Sequence, residues 1–399
     1  MPASPVAHAP GRRQRLALLL IGVATFVTVG VLQSLYGPSF AALQDRYDVG
    51  VAEVGTVVSA YFGGALVGVI VAGMLLARLG YRASLLTAMG AVALGAAAIA
   101  VAPLWSVALA GALVAGLGFG QITVAVNLMV ARAYGARAAG PLNGLNGTYG
   151  VGAVLGPALV ALLTARLGPT ATAGAAAFGL VVLAALATFV ATLRVRWWPV
   201  PSAPAPRRRS ATAVGAGVAG FMLLFFLYVA SEVSTPAWIP THLSPRLGAA
   251  NAALVASAFW ASLTVGRFLI APLASRFRPR DLVLASSLVA LGGALLAQVP
   301  ALSVVGYLLT GLGLAPIFPT AIAWLQVRFG ERGEQVTPLV LASGNLGPVL
   351  GAPAVGVTVA AAGPAAVPSV LAALLGALAL AVALAWFASR RAERDGRAA

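Results

Sequence analysis

The chain has 399 residues, of which 60% are hydrophobic and only 9% are charged, and its mean hydropathy is +0.97. These values exclude a soluble multidomain protein and indicate a chain that crosses a membrane many times. The formal net charge of +16 would suggest nucleic-acid binding in a soluble protein, but the distribution of the charge, described below, argues against that partner.

Apolar segments long enough to cross about 30 Å of hydrocarbon follow one another along the whole chain. We predict twelve and number them spans 1 to 12: 16–43, 51–77, 83–102, 104–132, 139–166, 170–193, 213–243, 250–275, 281–299, 301–328, 335–361 and 366–388. The first 15 residues lack the short apolar core of a signal peptide, so we expect span 1 to remain in the mature protein.

The basic residues predict the orientation of these spans. All 25 are arginines, and 21 of them fall on one side if the N-terminus is cytoplasmic, whereas Arg46, Arg166 and Arg246 fall on the other. Positive charge concentrates in cytoplasmic loops, so we expect both termini to be cytoplasmic in a cell (inner) membrane. The expected partners of these arginines are anionic lipid headgroups, not nucleic acid.

The two halves of the chain repeat one another. A shift of 198 residues places Glu232 on Ser34 and 259–280 on 61–82, and a shift of 195 residues places Gly330 on Gly135. The predicted fold is an all-α membrane protein with two pseudo-symmetric six-helix bundles: 1–193 and 213–399, joined by a cytoplasmic linker, 194–212. Such halves bind a substrate near the membrane midplane, between them.

Glycines in spans 4 and 10 are expected to let neighbouring helices approach closely, because a residue without a Cβ leaves room for the facing backbone. They are Gly116, Gly118, Gly120, Gly311 and Gly313.

Glu232 is the one acidic residue placed well inside a span. A charge at bilayer depth costs at least ~2.5 kcal/mol, so this carboxyl is expected to face protein or a water-filled path. Either this carboxyl takes part directly in the function of the protein, or it is a neutral carboxyl hydrogen-bonded to a neighbouring helix. Pro236, one turn later, is expected to break the helix beside the acid.

Polar and aromatic side chains from several spans are predicted to surround a solute path. Tyr228, Glu232 and Thr235 share one helix face. Amides and hydroxyls suit a polyol because each can donate and accept, whereas the aromatic rings are either flat contacts for a sugar ring or ordinary core residues. The predicted substrate-binding residues are Gln33, Tyr36, Thr123, Asn127, Asn143, Asn146, Tyr149, Tyr228, Glu232, Trp238, Trp260, Phe318, Trp324 and Asn345.

Four arginines, Arg78, Arg82, Arg267 and Arg276, are predicted to belong to a cytoplasmic gate. Counted along the helices, Glu232 lies roughly 28 Å and Arg267 about 13 Å from the cytoplasmic ends of their spans. We therefore expect no direct pair between them, and expect Arg267 to bond helix-end carbonyls. His242, at the outer end of span 7, is expected to be solvated.

The segment after span 2, GMLLARLGYR (73–82), resembles the Gly-x-x-x-Asp-Arg-x-Gly-Arg-Arg signature of the major facilitator superfamily. Ala77 replaces the acid that helps to latch the cytoplasmic gate in that family, which implies a weaker latch. Four further segments resemble the fucose and glucose symporter branch: YVASEVSTPAWIP (228–240), FWASLTVGRFLIAPL (259–273), GLGLAPIFPTAIA (311–323) and SGNLGPVLGAPAVG (343–356).

This resemblance implies secondary active transport of a hexose or hexose-like solute, coupled to a proton or, in some relatives, to sodium. Two departures concern the coupling. The acid that fucose-type members carry four residues before an asparagine, here Asn127, is replaced by Thr123, and span 1 carries no acid, with Gln33 the nearest polar residue.

The expected function is therefore alternating-access transport of a sugar-like solute with cation coupling, H⁺ or Na⁺, through Glu232. Proton-driven efflux of amphipathic drugs, metabolites or lipids is the alternative, and it predicts an aromatic cavity with few amides. A receptor or scaffold would need no buried acid. An enzyme would need grouped acids, histidines or cysteines, and the chain has two histidines and no cysteine. We expect a monomer without metal, cofactor or direct ATP drive.

Overall fold

The computed structural model describes residues 11–168, 171–199, 215–274 and 276–398. Most of the predicted linker, including Arg207 to Arg209, lies outside the described residues. Within them the chain forms fourteen α-helices and no strand: α1 (Arg12–Leu35), α2 (Phe40–Tyr47), α3 (Val51–Val54), α4 (Thr56–Val101), α5 (Trp105–Tyr134), α6 (Ala139–Leu167), α7 (Ala171–Arg194), α8 (Ala216–Leu247), α9 (Ala249–Ala274), α10 (Pro279–Leu296), α11 (Ser303–Leu314), α12 (Ile317–Phe329), α13 (Glu331–Ala362) and α14 (Val367–Ala398).

The predicted count of twelve membrane crossings is confirmed. Eleven helical stretches of the described chain are long and apolar enough to cross a membrane. One of them, Val51–Val101, contains two predicted spans, since its backbone leaves helical geometry at Gly80, where φ is 76°. Span 10 consists of α11 and α12, which follow one another across Ala315 and Pro316.

Two proline predictions have different outcomes. Span 1 ends earlier than residue 43, because Gly37–Ser39, with Pro38 near its start, form a 3-10 turn that separates α1 from α2. The prediction that Pro236 breaks span 7 is wrong, since α8 runs continuously through it. Proline removes one backbone hydrogen bond, and close packing keeps the helix intact: residues 233 to 240 of α8 are all buried.

Backbone geometry confirms the internal repeat. Gly135 and Gly330, 195 residues apart, have φ of +55° and +54°, and Gly168 and Gly363, again 195 apart, have +80° and +81°. Residues with side chains avoid this region, so both halves use a glycine at the same two turns.

Helix contacts repeat in the same way. Gly116 packs on the carbonyl of Tyr61, and Gly311 packs beside the carbonyl of Phe259. The two contacts correspond, because the shifts of 195 and 198 residues relate these positions. The predicted role of the span 4 and span 10 glycines is thus confirmed, and it explains how α5 packs so closely on α4.

The bundle has two different ends. We call the end that holds Arg12, Arg132, Arg194 and Arg328 the arginine-rich end, and the end that holds Arg46 and Arg246 the arginine-poor end.

The two halves meet at the arginine-poor end. Ser59 Oγ donates to the Val349 carbonyl at 2.6 Å, and Ser257 Oγ donates to the Val154 carbonyl at 2.7 Å. Among the described residues, these are the two hydrogen bonds that join one half to the other. The backbone at Gly37 also packs on that of Ala237. The halves are therefore closed against one another at this end.

Candidate functional site: a central cavity

A cavity of about 600 Å³ lies between the two halves. The N-terminal half lines it from α1, α4, α5 and α6, and the C-terminal half from α8, α9, α12 and α13. Its α13 lining, Pro338 to Asn345, lies in the part of that helix nearer the arginine-rich end. With the opposite end closed, the cavity opens toward the arginine-rich end.

Glu232 and Arg267 form an ion pair on the wall of this cavity. Arg267 Nη2 donates to Glu232 Oε1 at 2.7 Å, and the side chains are 36% and 13% exposed, respectively. The prediction that the two residues lie too far apart, and that Arg267 bonds helix-end carbonyls, is wrong. The distance was estimated by counting residues from the cytoplasmic end of each helix. That count assumes that α8 and α9 end at the same height in the membrane, and it leaves out the length of the arginine side chain.

The phenol of Tyr228 lies beside the ion pair. Its hydroxyl interacts with both Arg267 and Glu232, and it is buried, as is Arg267 Nε. Tyr149, from the other half, lines the same cavity. The ion pair therefore has a buried tyrosine beside it and also lines the cavity.

Neutral polar groups of the N-terminal half line the other wall. Asn146 Nδ2 donates to Asn127 Oδ1 at 3.1 Å, and Asn127 Nδ2 donates to the Thr123 carbonyl at 2.8 Å. The two amides thereby fix one another, and Gln33 adds a third amide to the lining. Amides with fixed orientation can select a solute by the positions of its donors and acceptors.

Phenylalanines contribute much of the remaining surface, and four of them were not among the predicted site residues: Phe26, Phe62, Phe119 and Phe225. The repeat offered a signal for one of them. Phe62 corresponds to Trp260 by the shift of 198 residues, and both line the cavity.

Nine of the fourteen predicted site residues line this cavity: Gln33, Thr123, Asn127, Asn146, Tyr149, Glu232, Trp260, Phe318 and Asn345. The other five, Tyr36, Asn143, Tyr228, Trp238 and Trp324, do not.

Packing explains where these five residues lie. Tyr36 and Trp238 are buried near the arginine-poor end, where Tyr36 contacts Tyr61 and Trp238 Nε1 donates to the Ala352 carbonyl at 3.1 Å. Tyr228 is buried beside the cavity, against Phe318. Asn143 is exposed at the arginine-rich end of α6, and Trp324 is buried against Phe221.

The remaining gate arginines lie at the arginine-rich end. Arg78, Arg82 and Arg276 are exposed, and Arg82 Nη2 donates to the Leu193 carbonyl at 2.8 Å, within its own half. Their role as a gate stays a prediction. His242, which was expected to be solvated, is half-buried, and its Nδ1 lies 2.7 Å from the Tyr307 hydroxyl.

A constricted void of about 10 Å³ continues from the cavity toward the arginine-poor end. Gln33, Phe62, Val233 and Trp260 line both spaces. The path between the halves is thus wide on one side of Trp260 and nearly closed on the other. Among the described side chains, no group of three or more acids, histidines or cysteines could hold a metal ion.

Two like-oriented helical halves around a central cavity define a membrane transporter of the rocking type. The family model of the Major Facilitator Superfamily matches residues 21–248 and 220–399. The chain belongs to this superfamily, whose members are transporters and not enzymes. It is accordingly a multi-pass membrane protein that moves a small molecule.

Solved structures share this fold at low sequence identity. A variant of the nucleoside transporter NupG is 15% identical, with a TM-score of 0.78 over 93% of this chain and 99% of that one. The inward-open xylose transporter XylE from E. coli is 12% identical, with a TM-score of 0.75 over 93% and 95%. FucP in the outward conformation is 18% identical, with a TM-score of 0.62 over 93% and 98%. No curated protein sequence matches the chain.

Proposed function

We propose that the protein carries a hexose or related polyhydroxylated solute across the cell inner membrane by alternating access, coupled to protons through Glu232. The observation that carries the proposal is the ion pair between Glu232 and Arg267 on the wall of the central cavity. A charged pair at membrane depth is costly and marks a substrate or ion path.

The lining of the cavity supports a polyhydroxylated solute. The linked amides of Asn127 and Asn146 and the exposed part of Arg267 can donate to or accept from several hydroxyl groups, and Trp260 and Phe318 offer flat apolar faces. A volume of about 600 Å³ is in the usual range for a small-molecule site. The similar structures are named for transporters of nucleosides and xylose, which also carry several hydroxyl groups.

The ion pair supports a coupling step that needs no further acid. A proton that binds a Glu232 carboxylate oxygen neutralises it, so the attraction to Arg267 is lost. Because Arg267 is 36% exposed, its guanidinium can turn into the cavity and donate to the solute.

The arginine distribution supports the orientation. With the arginine-rich end in the cytoplasm, both termini are cytoplasmic and the cavity faces inward.

One observation favours the alternative of efflux of amphipathic compounds. Phe26, Phe62, Phe119 and Phe225 make much of the cavity surface apolar. A thermal-shift panel separates the two functions: we expect hexoses to raise the melting temperature more than cationic dyes do. The reverse ranking would assign the cavity to efflux.

Uptake into proteoliposomes tests the coupling. Radiolabelled hexoses are offered under separate proton and sodium gradients, to the wild type, to Glu232→Gln and to Glu53→Gln. Glu53 is an exposed acid outside the cavity. We expect Glu232→Gln to lose concentrative uptake while it retains exchange, and Glu53→Gln to behave as the wild type. Proton-driven accumulation that persists in Glu232→Gln would refute the coupling role.

A further inference from the structure

Two adjoining cavities at the arginine-rich end of the C-terminal half are separate from the central cavity. The first, of about 390 Å³, is lined by Arg278, Arg280, Trp324, Arg328 and Ser389, and we call it the headgroup pocket. The second, of about 250 Å³, lies between α8, α12 and α14. Arg328 and Ser389 line both cavities, so the two form one continuous depression.

Two exposed guanidinium groups, Arg278 and Arg328, line the headgroup pocket. Arg280 is buried at its floor. Arg280 Nε lies 3.7 Å from Asp281 Oδ1, which accepts a hydrogen bond from Trp386 Nε1. Among the described side chains of the lining, the two exposed arginines are therefore the groups that can meet an anion. The pocket also adjoins the N-terminus of α10, whose dipole favours an anion.

The second cavity is an apolar groove, which we call the acyl groove, lined by Gly217, Gly220, Leu223, Leu384, Ala385 and Ala388. Leu223 and Leu384 are 51% and 62% exposed on the membrane-facing surface. Gly220 deepens the groove, because a Cβ there would have no atom within 4 Å. The groove therefore offers a slot of apolar surface that begins at the arginine pocket and runs along α8 and α14.

We propose that this composite site binds one anionic phospholipid, with the phosphate between Arg278 and Arg328 and one acyl chain in the acyl groove. A free phosphate would satisfy the pocket alone, whereas the continuous apolar groove fits only an amphipathic anion. The arginines lie at the membrane end where positive charge meets anionic headgroups. The bound lipid would bridge α8, which carries Glu232, to α10, α12 and α14.

Lipid titration of the purified full-length protein in detergent tests this site, with melting temperature and native mass spectrometry as readouts. The ligands are dioleoyl phosphatidylglycerol, dioleoyl phosphatidylcholine and inorganic phosphate. The variants are Arg278→Gln with Arg328→Gln, and Gly220→Leu, whose Cβ would meet no atom within 4 Å and whose side chain would occupy the groove. Arg12→Gln with Arg13→Gln is the matched control, since it removes two exposed charges at the same end, outside the pocket.

We expect the wild type to bind phosphatidylglycerol in preference to phosphatidylcholine. Each basic contact at a membrane surface contributes about fivefold in affinity, so the pocket variant should bind phosphatidylglycerol on the order of 20-fold more weakly. Gly220→Leu should also weaken it, and the control should not.

Three results would overturn the proposal. The first is an equal loss in the control pair, which would mean unspecific attraction. The second is phosphate protection equal to that by phosphatidylglycerol with no effect of Gly220→Leu, which would mean a free-anion site. The third is unchanged lipid selectivity in both site variants.

Discussion

The two halves of the molecule share one backbone plan but divide the chemistry of the cavity between them. The N-terminal half lines it with neutral groups alone, among them Thr123, Asn127 and Asn146, whereas both charges, Glu232 and Arg267, come from the C-terminal half. This difference indicates that the two halves keep the same packing positions, whereas the side chains that line the cavity differ between them.

Corresponding positions make this division visible. The repeat relates Val69 to Arg267 and Asn146 to Leu341, and all four residues line the cavity. At the position of Glu232 the N-terminal half has Ser34, whose hydroxyl donates to the Gly30 carbonyl at 3.0 Å and packs on Gly156. We infer that the N-terminal half binds solute by neutral hydrogen bonds and that the C-terminal half couples it to an ion.

The largest expected effect concerns packing. Gly116→Ala should lower the free energy of unfolding by about 3 kcal/mol, because its Cβ overlaps the Tyr61 carbonyl and the backbone must shift. Gly311→Ala should cost less, about 2 kcal/mol, since the nearest atom is the Ser262 hydroxyl, which can rotate away, and the Phe259 carbonyl, 2.8 Å from the added Cβ, needs a smaller shift. Melting temperatures in detergent check this order. Equal losses would mean that the two halves tolerate strain alike.

The second effect concerns the charges of the C-terminal half. Arg267→Gln leaves the Glu232 carboxylate unpaired and should destabilise the protein by about 2 kcal/mol, less than a fully buried pair would lose because Arg267 is partly exposed. The double variant with Glu232→Gln should regain most of that loss. Thermal unfolding of the three variants forms the cycle, and strict additivity would contradict a direct interaction.

The third effect concerns the neutral amides with which the N-terminal half lines the cavity. Asn146→Ala removes one partner of the Asn127 amide and should raise KM for the transported solute about tenfold, the equivalent of one polar contact. Its proton dependence should stay that of the wild type. Transport measured against solute concentration at several proton gradients separates the two readouts. A changed proton dependence would show that the N-terminal half takes part in coupling.

The smallest effect is expected at Asn143, an exposed asparagine one turn before Asn146 and outside the cavity. Asn143→Ala should leave KM and the maximal rate within twofold of the wild type, as is usual for exposed positions. It serves as the matched partner of Asn146→Ala. A tenfold rise in KM here would place the solute path nearer the arginine-rich end.

Sequence patterns predicted the fold well, because span length and the 195- to 198-residue shifts are local and repeated signals. They predicted the depth of individual side chains less well. Asn143 and Asn146 lie about one turn apart on the same side of α6, yet Asn146 lines the cavity and Asn143 is exposed near the start of the helix. Where the cavity ends along a helix is set by packing against neighbouring helices, which composition does not encode.

The ion pair was missed for a related reason. Residue counts along α8 and α9 give depth within each helix but not the relative level of two helices, so the vertical distance between Glu232 and Arg267 was overestimated. The phenylalanines of the cavity could not be recognised from the sequence. An apolar residue in a membrane helix gives the same sequence pattern whether it faces lipid, protein or a cavity.

The contact between the two halves at the arginine-poor end affects how the transporter can open. Because Gly37 lets two main chains touch at Ala237, that end shuts closely. The two serine hydrogen bonds and the contact of Phe40 with Trp238 have to break for it to part. A bulky residue at position 37 would act as a spacer, favouring the form that is open at the arginine-poor end. Transport would then slow at the return step, while solute offered from that side would still find a vacant site.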